Sequence, residues 1–101
     1  MKRVIVTYKI AANSIDQNET MIRAVFSELR ALGPSDVRYS TMSDADGGFL
    51  HILESANPEF QLSHLHAFKA FVTDIRDRCI EMPILREMTL LDVYPATAAM
   101  K

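Results

Sequence analysis

Apolar and polar positions alternate at the start of the chain. Val4, Val6, Tyr8 and Ile10 share one parity, and Arg3, Ile5, Thr7 and Lys9 share the other. A period of two, carried by β-branched residues, is typical of a β-strand. The pattern predicts a strand over residues 3–11.

The next segment changes to helical spacing. Ser14 can cap the helix, and Gln17 three residues later completes a capping-box pattern. Gly33 and Pro34 end the helix, because glycine suits a left-handed position and proline cannot continue the helix. The apolar stripe steps by three and four residues and consists of Ile22, Val25, Leu29 and Leu32.

A hairpin follows the helix. Alternation returns over residues 36–43 and again over 49–54, and the intervening segment DADGG (44–48) has the composition of a turn. The spacing predicts two antiparallel strands. Residues 55–62 form a loop in which Pro58 interrupts regular pairing.

The last third predicts a second helix and a fourth strand. Ser63 is the expected N-cap, and Pro83 prevents the helix from continuing. Residues 87–94 (EMTLLDVY) are the expected fourth strand, and residues 96–101 are a flexible tail. The helical stripe steps by three and four and consists of Leu65, Phe68, Val72, Ile75 and Cys79.

The element order is therefore β-α-β-β-α-β, which predicts an α+β, ferredoxin-like domain over residues 1–95. Its four-stranded antiparallel sheet carries both helices on one face. The other face also has apolar residues, among them Ile5, Leu50 and Ile52. An antiparallel sheet with one wet face should alternate more cleanly. We therefore expect a homodimer in which the open faces of two sheets pack together.

Composition excludes several classes of protein. The net charge is -2, and without a basic cluster we expect no nucleic-acid binding. Apolar residues are 49% of the chain, but no run approaches the length of a membrane span, so we expect no membrane partner. Cys79 is the single cysteine, which excludes an internal disulfide framework and a multi-cysteine zinc site and favours a cytoplasmic location.

Several side chains are candidates for chemistry. His51 lies mid-strand, and its ordinary pKa near neutrality suits a catalytic base that takes a phenolic proton. The alternative is a histidine satisfied by a neighbour in the core or at an interface. The expected substrate-binding residues are Tyr39, His64, Phe49, Phe68 and Phe71, each of which has a purely structural alternative as a core or surface residue. We expect no metal site, because His64 and His66 point in different directions on a helix.

Four segments carry a family resemblance: VIVTYKI, LHILES, LSHLHAFKAFVTDI and MTLLDVY. With them the chain resembles the antibiotic biosynthesis monooxygenase-like domains of the dimeric α/β-barrel superfamily. Members often have an acidic residue after the third strand, a histidine where the loop enters the second helix, and a Phe-x-x-Phe run. Glu54, His64 and Phe68 with Phe71 fit these places.

The resemblance implies a function. It implies a homodimer whose sheets face each other in a barrel, and a cavity between sheet and helices. A small apolar or aromatic ligand would bind there. It further implies an oxygenase that works without a cofactor on an aromatic or enolisable substrate, or alternatively a non-catalytic ligand-binding or accessory module. The chain has no tryptophan, which departs from the haem-degrading members.

Overall fold

The computed structural model describes residues 1–95. Short 3-10 turns at Ala12–Ser14 and Leu62–His64 precede the first two helices. In chain order the elements are β1 (Lys2–Ile10), α1 (Ile15–Leu32), β2 (Val37–Ser43), β3 (Gly48–Ser55), α2 (His66–Thr73), α3 (Ile75–Arg78) and β4 (Cys79–Glu87).

The four strands form one sheet in the order β2-β3-β1-β4, and every neighbouring pair is antiparallel. This confirms the predicted α+β, ferredoxin-like fold. β1 and β3 are central, with Val6 opposite His51 and Tyr8 opposite Phe49. Side chains of one parity on both strands therefore point towards the helices, and most of them are buried.

The first helix ends as predicted but begins differently. Gly33 is left-handed, with φ at 60°, and its N–H donates to the Leu29 carbonyl at 2.8 Å. At the other end Ser14 is the N-cap residue, yet its side chain makes no capping hydrogen bond. The capping box is therefore wrong, because the preceding 3-10 turn holds Ser14 outside the extended conformation that capping side chains adopt.

The second helix is shorter than predicted. It begins at His66 with Leu65 as its N-cap, and Ser63 lies in the 3-10 turn instead. Glu28 of α1 accepts hydrogen bonds from the His66 and Ala67 N–H groups at 3.0 and 2.7 Å. The carboxylate of Glu28, which belongs to another helix, thus caps the N-terminus of α2, a role that we expected for Ser63.

The fourth strand lies earlier than predicted. It runs from Cys79 to Glu87, so Cys79 opens a strand instead of lying on a helix, and residues 88–95 form neither helix nor strand. Pro83 lies inside β4, which is tolerated because β4 is an edge strand. The expected tail 96–101 lies outside the described residues.

The core lies between the helices and one face of the sheet. The opposite face of the sheet is only partly covered, with Ile5, Leu50 and Ile52 of intermediate exposure and Met42 and Ile84 about half exposed. The buried apolar cluster consists of Tyr8, Ile10, Ile22, Val25, Phe49, Leu65, Phe71 and Ile75.

Position 47, in the β2–β3 turn, requires glycine for two reasons. Its φ is 88°, and a Cβ there would lie 2.7 Å from the Ile10 carbonyl oxygen. We expect Gly47→Ala to cost about 2 kcal/mol in the free energy of unfolding, because strain and a backbone clash add. The matched change is Gly33→Ala, whose Cβ would meet Arg30 oxygen at 3.9 Å and which we expect to cost only about 1 kcal/mol. If urea denaturation shows that both variants lose the same free energy of unfolding, the backbone clash at position 47 is contradicted.

Candidate functional site

A cavity of about 920 Å³ opens between the helix-facing side of the sheet and the segment 56–75. Its volume is within the range of small-molecule sites. Its walls are mostly apolar, and one side is open to solvent. The principal apolar lining residues are Val4, Val6, Leu53, Phe68, Ile75 and Leu85.

Three side chains on neighbouring strands form a polar cluster at this cavity. The Tyr39 hydroxyl lies 2.5 Å from His51 Nδ1, and the Tyr8 hydroxyl lies 2.6 Å from His51 Nε2. All three residues line the cavity. Thr41 Oγ1 is 3.4 Å from the same Nδ1. Both nitrogens of the His51 ring are therefore already engaged by tyrosines.

The cluster continues into the interior. The Asn18 side-chain amide donates to the Tyr8 oxygen at 3.0 Å, and Arg78 Nε donates to the Asn18 carbonyl oxygen at 3.1 Å. Arg78 Nη2 donates to the Phe71 carbonyl at 2.9 Å. We call Tyr39, His51, Tyr8, Asn18 and Arg78 together the polar relay. It runs from the cavity wall to a buried cation.

Burial controls the charge of the relay. It lowers the pKa of His51 to about 4 and raises the pKa of Tyr39 to about 12. Burial also raises the pKa of Tyr8, against smaller opposing effects from the Asn18 hydrogen bond and the Arg78 charge. At neutral pH the imidazole and both phenols are therefore uncharged.

Arg78 is the charged member of the relay. It is 3% exposed, and among residues 1–95 no carboxylate lies within ion-pairing distance of its guanidinium. Its Nη1 has no hydrogen-bond partner among the same residues, and the Phe71 ring lies 5.3 Å from its guanidinium carbon. A buried guanidinium without a carboxylate is a strong local source of positive potential.

The structure brings together four of the six predicted site residues. His51, Tyr39, Phe68 and Phe71 all line the cavity. Phe49 lies instead beneath Tyr8, with the ring centroids 5.5 Å apart.

His64 does not join this group. It is exposed in the turn before α2 and is absent from the lining.

The sequence analysis did not single out Asn18 and Arg78, and it placed Tyr8 only in the alternating pattern of the first strand. The sequence nevertheless contains a signal that Asn18 and Arg78 are buried. Asn18 lies four residues before Ile22 and so continues the apolar stripe of α1, and Arg78 lies three residues after Ile75. A polar residue at an apolar position of a helical stripe indicates a buried partner.

The described part of the chain gives two further findings. Within residues 1–95 no group of three histidine, cysteine, aspartate or glutamate side chains is arranged to hold a metal ion. Over the same range, no helix has the length and apolar character needed to cross a membrane.

Comparison with known proteins places the fold. No protein-family model matches the sequence, and no curated protein matches it. Solved structures do match. An antibiotic biosynthesis monooxygenase has a TM-score of 0.71 at 18% identity, covering 91% of this chain and 100% of its own.

Two more neighbours show the range of this fold. A variant of SnoaB, a cofactor-independent oxygenase from Streptomyces nogalater, has a TM-score of 0.70 at 12% identity, covering 93% of this chain and 96% of its own. The protein NE2512 of Nitrosomonas europaea, described as of unknown function, has a TM-score of 0.70 at 12% identity and covers 91% of this chain and 90% of its own. At these identities the similarity shows the fold alone.

Proposed function

We propose that this chain, which has the fold of the antibiotic biosynthesis monooxygenase-like domains, is a cofactor-independent oxygenase. Its substrate is a phenol or another electron-rich, enolisable compound. The observation that carries the proposal is the apolar cavity whose polar wall is the pair of tyrosines joined through His51. The similarity of fold to a cofactor-independent oxygenase supports the reaction class.

The apolar walls provide contact area for the substrate and keep water away from the part of it that they cover. A flat substrate packs between the sheet residues Val6 and Leu53 on one side and Phe68 on the other. Burial of its rings provides affinity, and exclusion of water protects a reactive intermediate. The substrate oxygen is the atom that needs polar contacts, and Tyr39 offers them at the cavity wall.

His51 acts through Tyr39 in this proposal. Because both ring nitrogens bind tyrosine hydroxyls, the substrate meets a tyrosine oxygen before it meets the imidazole. His51 holds the proton between Tyr8 and Tyr39, and the relay stabilises negative charge on the substrate oxygen. The substrate proton leaves to solvent through the open side of the cavity. Tyr39 is thus the proposed catalytic residue, because it contacts the substrate, and His51 is a positioning residue that acts through it.

The oxygen step needs no further redox group. The substrate anion transfers one electron to O₂, which gives a substrate radical and superoxide in the same cavity. The two combine to form a carbon–oxygen bond, and the resulting peroxide anion takes up a proton. The oxygen–oxygen bond then breaks as the same carbon loses its proton, so that water leaves and one oxygen atom remains in a carbonyl product. The substrate itself supplies the electrons that reduce the second oxygen atom to water.

Oxygen consumption tests the proposal. The metal-chelated protein, with no flavin or haem added, is mixed with a panel of quinols and polycyclic phenols in an oxygen electrode. We expect uptake above the uncatalysed rate for at least one of them. Binding of these compounds without oxygen uptake would support the alternative, a ligand-binding module. If no compound of the panel binds and none causes oxygen uptake, the proposal is overturned.

We also propose a homodimer formed through the open sheet face, because aliphatic residues on its central strands are left partly exposed. Ile52→Glu, which places a charge at the middle of that face, should convert a dimer of twice 11.4 kDa into a monomer in sedimentation. The control is Leu32→Glu, a change at a residue 61% exposed at the end of α1, which should leave the dimer intact. A wild-type monomer at micromolar concentration would contradict the dimer.

A further inference from the structure

We infer that Arg78 and Asn18 are positioning residues that order the protons of the polar relay, so that Tyr39 donates a hydrogen bond into the cavity and the site binds its ligand as an oxyanion. This inference deepens the proposed function, on which its substrate class rests. The order of the protons follows from the donors and acceptors along the relay, taken from the buried end towards the cavity.

Arg78 fixes the orientation of Asn18. A guanidinium has only donors, so the group that faces Arg78 Nε at 3.1 Å must be the Asn18 carbonyl oxygen. The amide nitrogen of Asn18 then faces Tyr8 and donates to its oxygen at 3.0 Å. The opposite orientation would set two donors, the amide nitrogen of Asn18 and Arg78 Nε, against each other. The cation therefore determines which end of the amide reaches the tyrosine.

Asn18 in turn directs the Tyr8 proton. The Tyr8 oxygen accepts from Asn18, and its own O–H needs an acceptor because the residue is 5% exposed. The His51 Nε2 lone pair, 2.6 Å away, is that acceptor. A neutral imidazole has a lone pair on one nitrogen and a proton on the other. With Nε2 accepting, the His51 proton is on Nδ1.

The last step reaches the cavity. His51 Nδ1–H donates to the Tyr39 oxygen at 2.5 Å. The Tyr39 O–H cannot donate to a nitrogen that already carries a proton, so it is directed to the cavity that Tyr39 lines. Every hydrogen bond of the relay thus points the same way. A ligand oxygen at Tyr39 meets a donor, and its negative charge is favoured by the uncompensated cation at the other end.

Asn18→Asp tests this order while keeping a partner for Arg78. The new carboxylate pairs with the guanidinium but has no donor for Tyr8, and it accepts the Tyr8 O–H instead. His51 must then donate from Nε2, and Tyr39 must donate to Nδ1. The cavity end changes from a donor to an acceptor. The control is Asn13→Asp, an equal change of charge at an exposed residue outside the relay.

Two readouts decide between the outcomes. In the wild-type protein the phenolate of para-nitrophenol, followed by its visible absorbance, should bind at least about tenfold more tightly than the phenol, which lowers the pKa of the bound compound by about one unit. Nitrogen NMR of histidine-labelled protein should show the His51 proton on Nδ1. Asn18→Asp should abolish the phenolate preference and move the proton to Nε2, and Asn13→Asp should change neither.

The inference is overturned if wild-type His51 has its proton on Nε2, or if Asn18→Asp leaves the tautomer unchanged. These results do not depend on oxygen chemistry. If no phenol binds at all, the proposed function fails, while the NMR measurement still decides the proton order. If phenolate binds as expected but no oxygen is consumed, the oxygenase proposal fails and the ordered relay stands.

Discussion

Replacing Tyr39 by phenylalanine should lower the rate of oxygen uptake by about 100-fold, with most of the loss in kcat. The hydroxyl is the group that meets the substrate oxygen, and removal of one donor to a developing oxyanion typically costs a factor of 10² to 10³. The ring itself stays, and its stacking on Phe26, with centroids 5.0 Å apart, is kept. Binding of the neutral substrate should therefore change little.

Tyr94→Phe is the matched control for Tyr39→Phe. Tyr94 is 97% exposed and does not line the cavity, so loss of its hydroxyl should leave the rate unchanged. His51→Gln should also lower the rate, because one amide does not occupy the positions of both imidazole nitrogens and so cannot accept from Tyr8 and donate to Tyr39 at once. A Tyr39→Phe protein with the wild-type rate would show that the substrate oxygen does not bind at this wall.

The stability of the protein should fall as the pH is lowered from about 6.5 to 4. The pKa of His51 is lowered from 6.5 to about 4 by burial, so the unfolded chain binds the proton more readily than the folded protein does. The stabilisation is complete above pH 6.5 and is lost as the pH falls through this window. Linkage gives a loss of about 2 kcal/mol by pH 5 and about 3 kcal/mol by pH 4.

Urea denaturation at several pH values measures this effect. In His51→Gln the slope between pH 6.5 and 5 should be nearly absent, whatever the overall stability of the variant. The pKa values of Glu28 and Asp44 are lowered by backbone hydrogen bonds, so their contributions are lost only at more acidic pH. A wild-type slope that persists unchanged in His51→Gln would assign the pH dependence to other groups.

The first half of the fold could be predicted from the sequence because local signals agreed there. β1, α1 and the hairpin follow from alternation, helical spacing, Gly33 and the DADGG turn, and the structure places them within two residues of expectation. The second half failed where two signals conflicted. The spacing of Leu65 to Cys79 stays helical past the end of α3, and Pro83 argues against a strand unless the strand is known to lie at an edge.

The candidate site was likewise predicted only in part. Tyr39 and His51 could be placed together because pairing of the hairpin strands puts Tyr39 beside Leu53 and Thr41 beside His51. Asn18 and Arg78 could not, since 60 residues separate them along the chain and only the packed helices bring them together. Their places on apolar helical stripes indicate that each is buried, but which residue pairs with which depends on tertiary packing and follows from no local pattern.

A single turnover with isotopically labelled O₂ shows whether this protein inserts an oxygen atom from O₂ into a phenol. The metal-chelated protein is loaded with the phenol that gives the highest uptake, under anaerobic conditions, and is then exposed to labelled oxygen. We expect a quinone-type product that contains one labelled oxygen atom, with the other in water, and a rate about 100-fold lower in Tyr39→Phe. Product with no label, or labelled product formed equally fast by Tyr39→Phe, would contradict it.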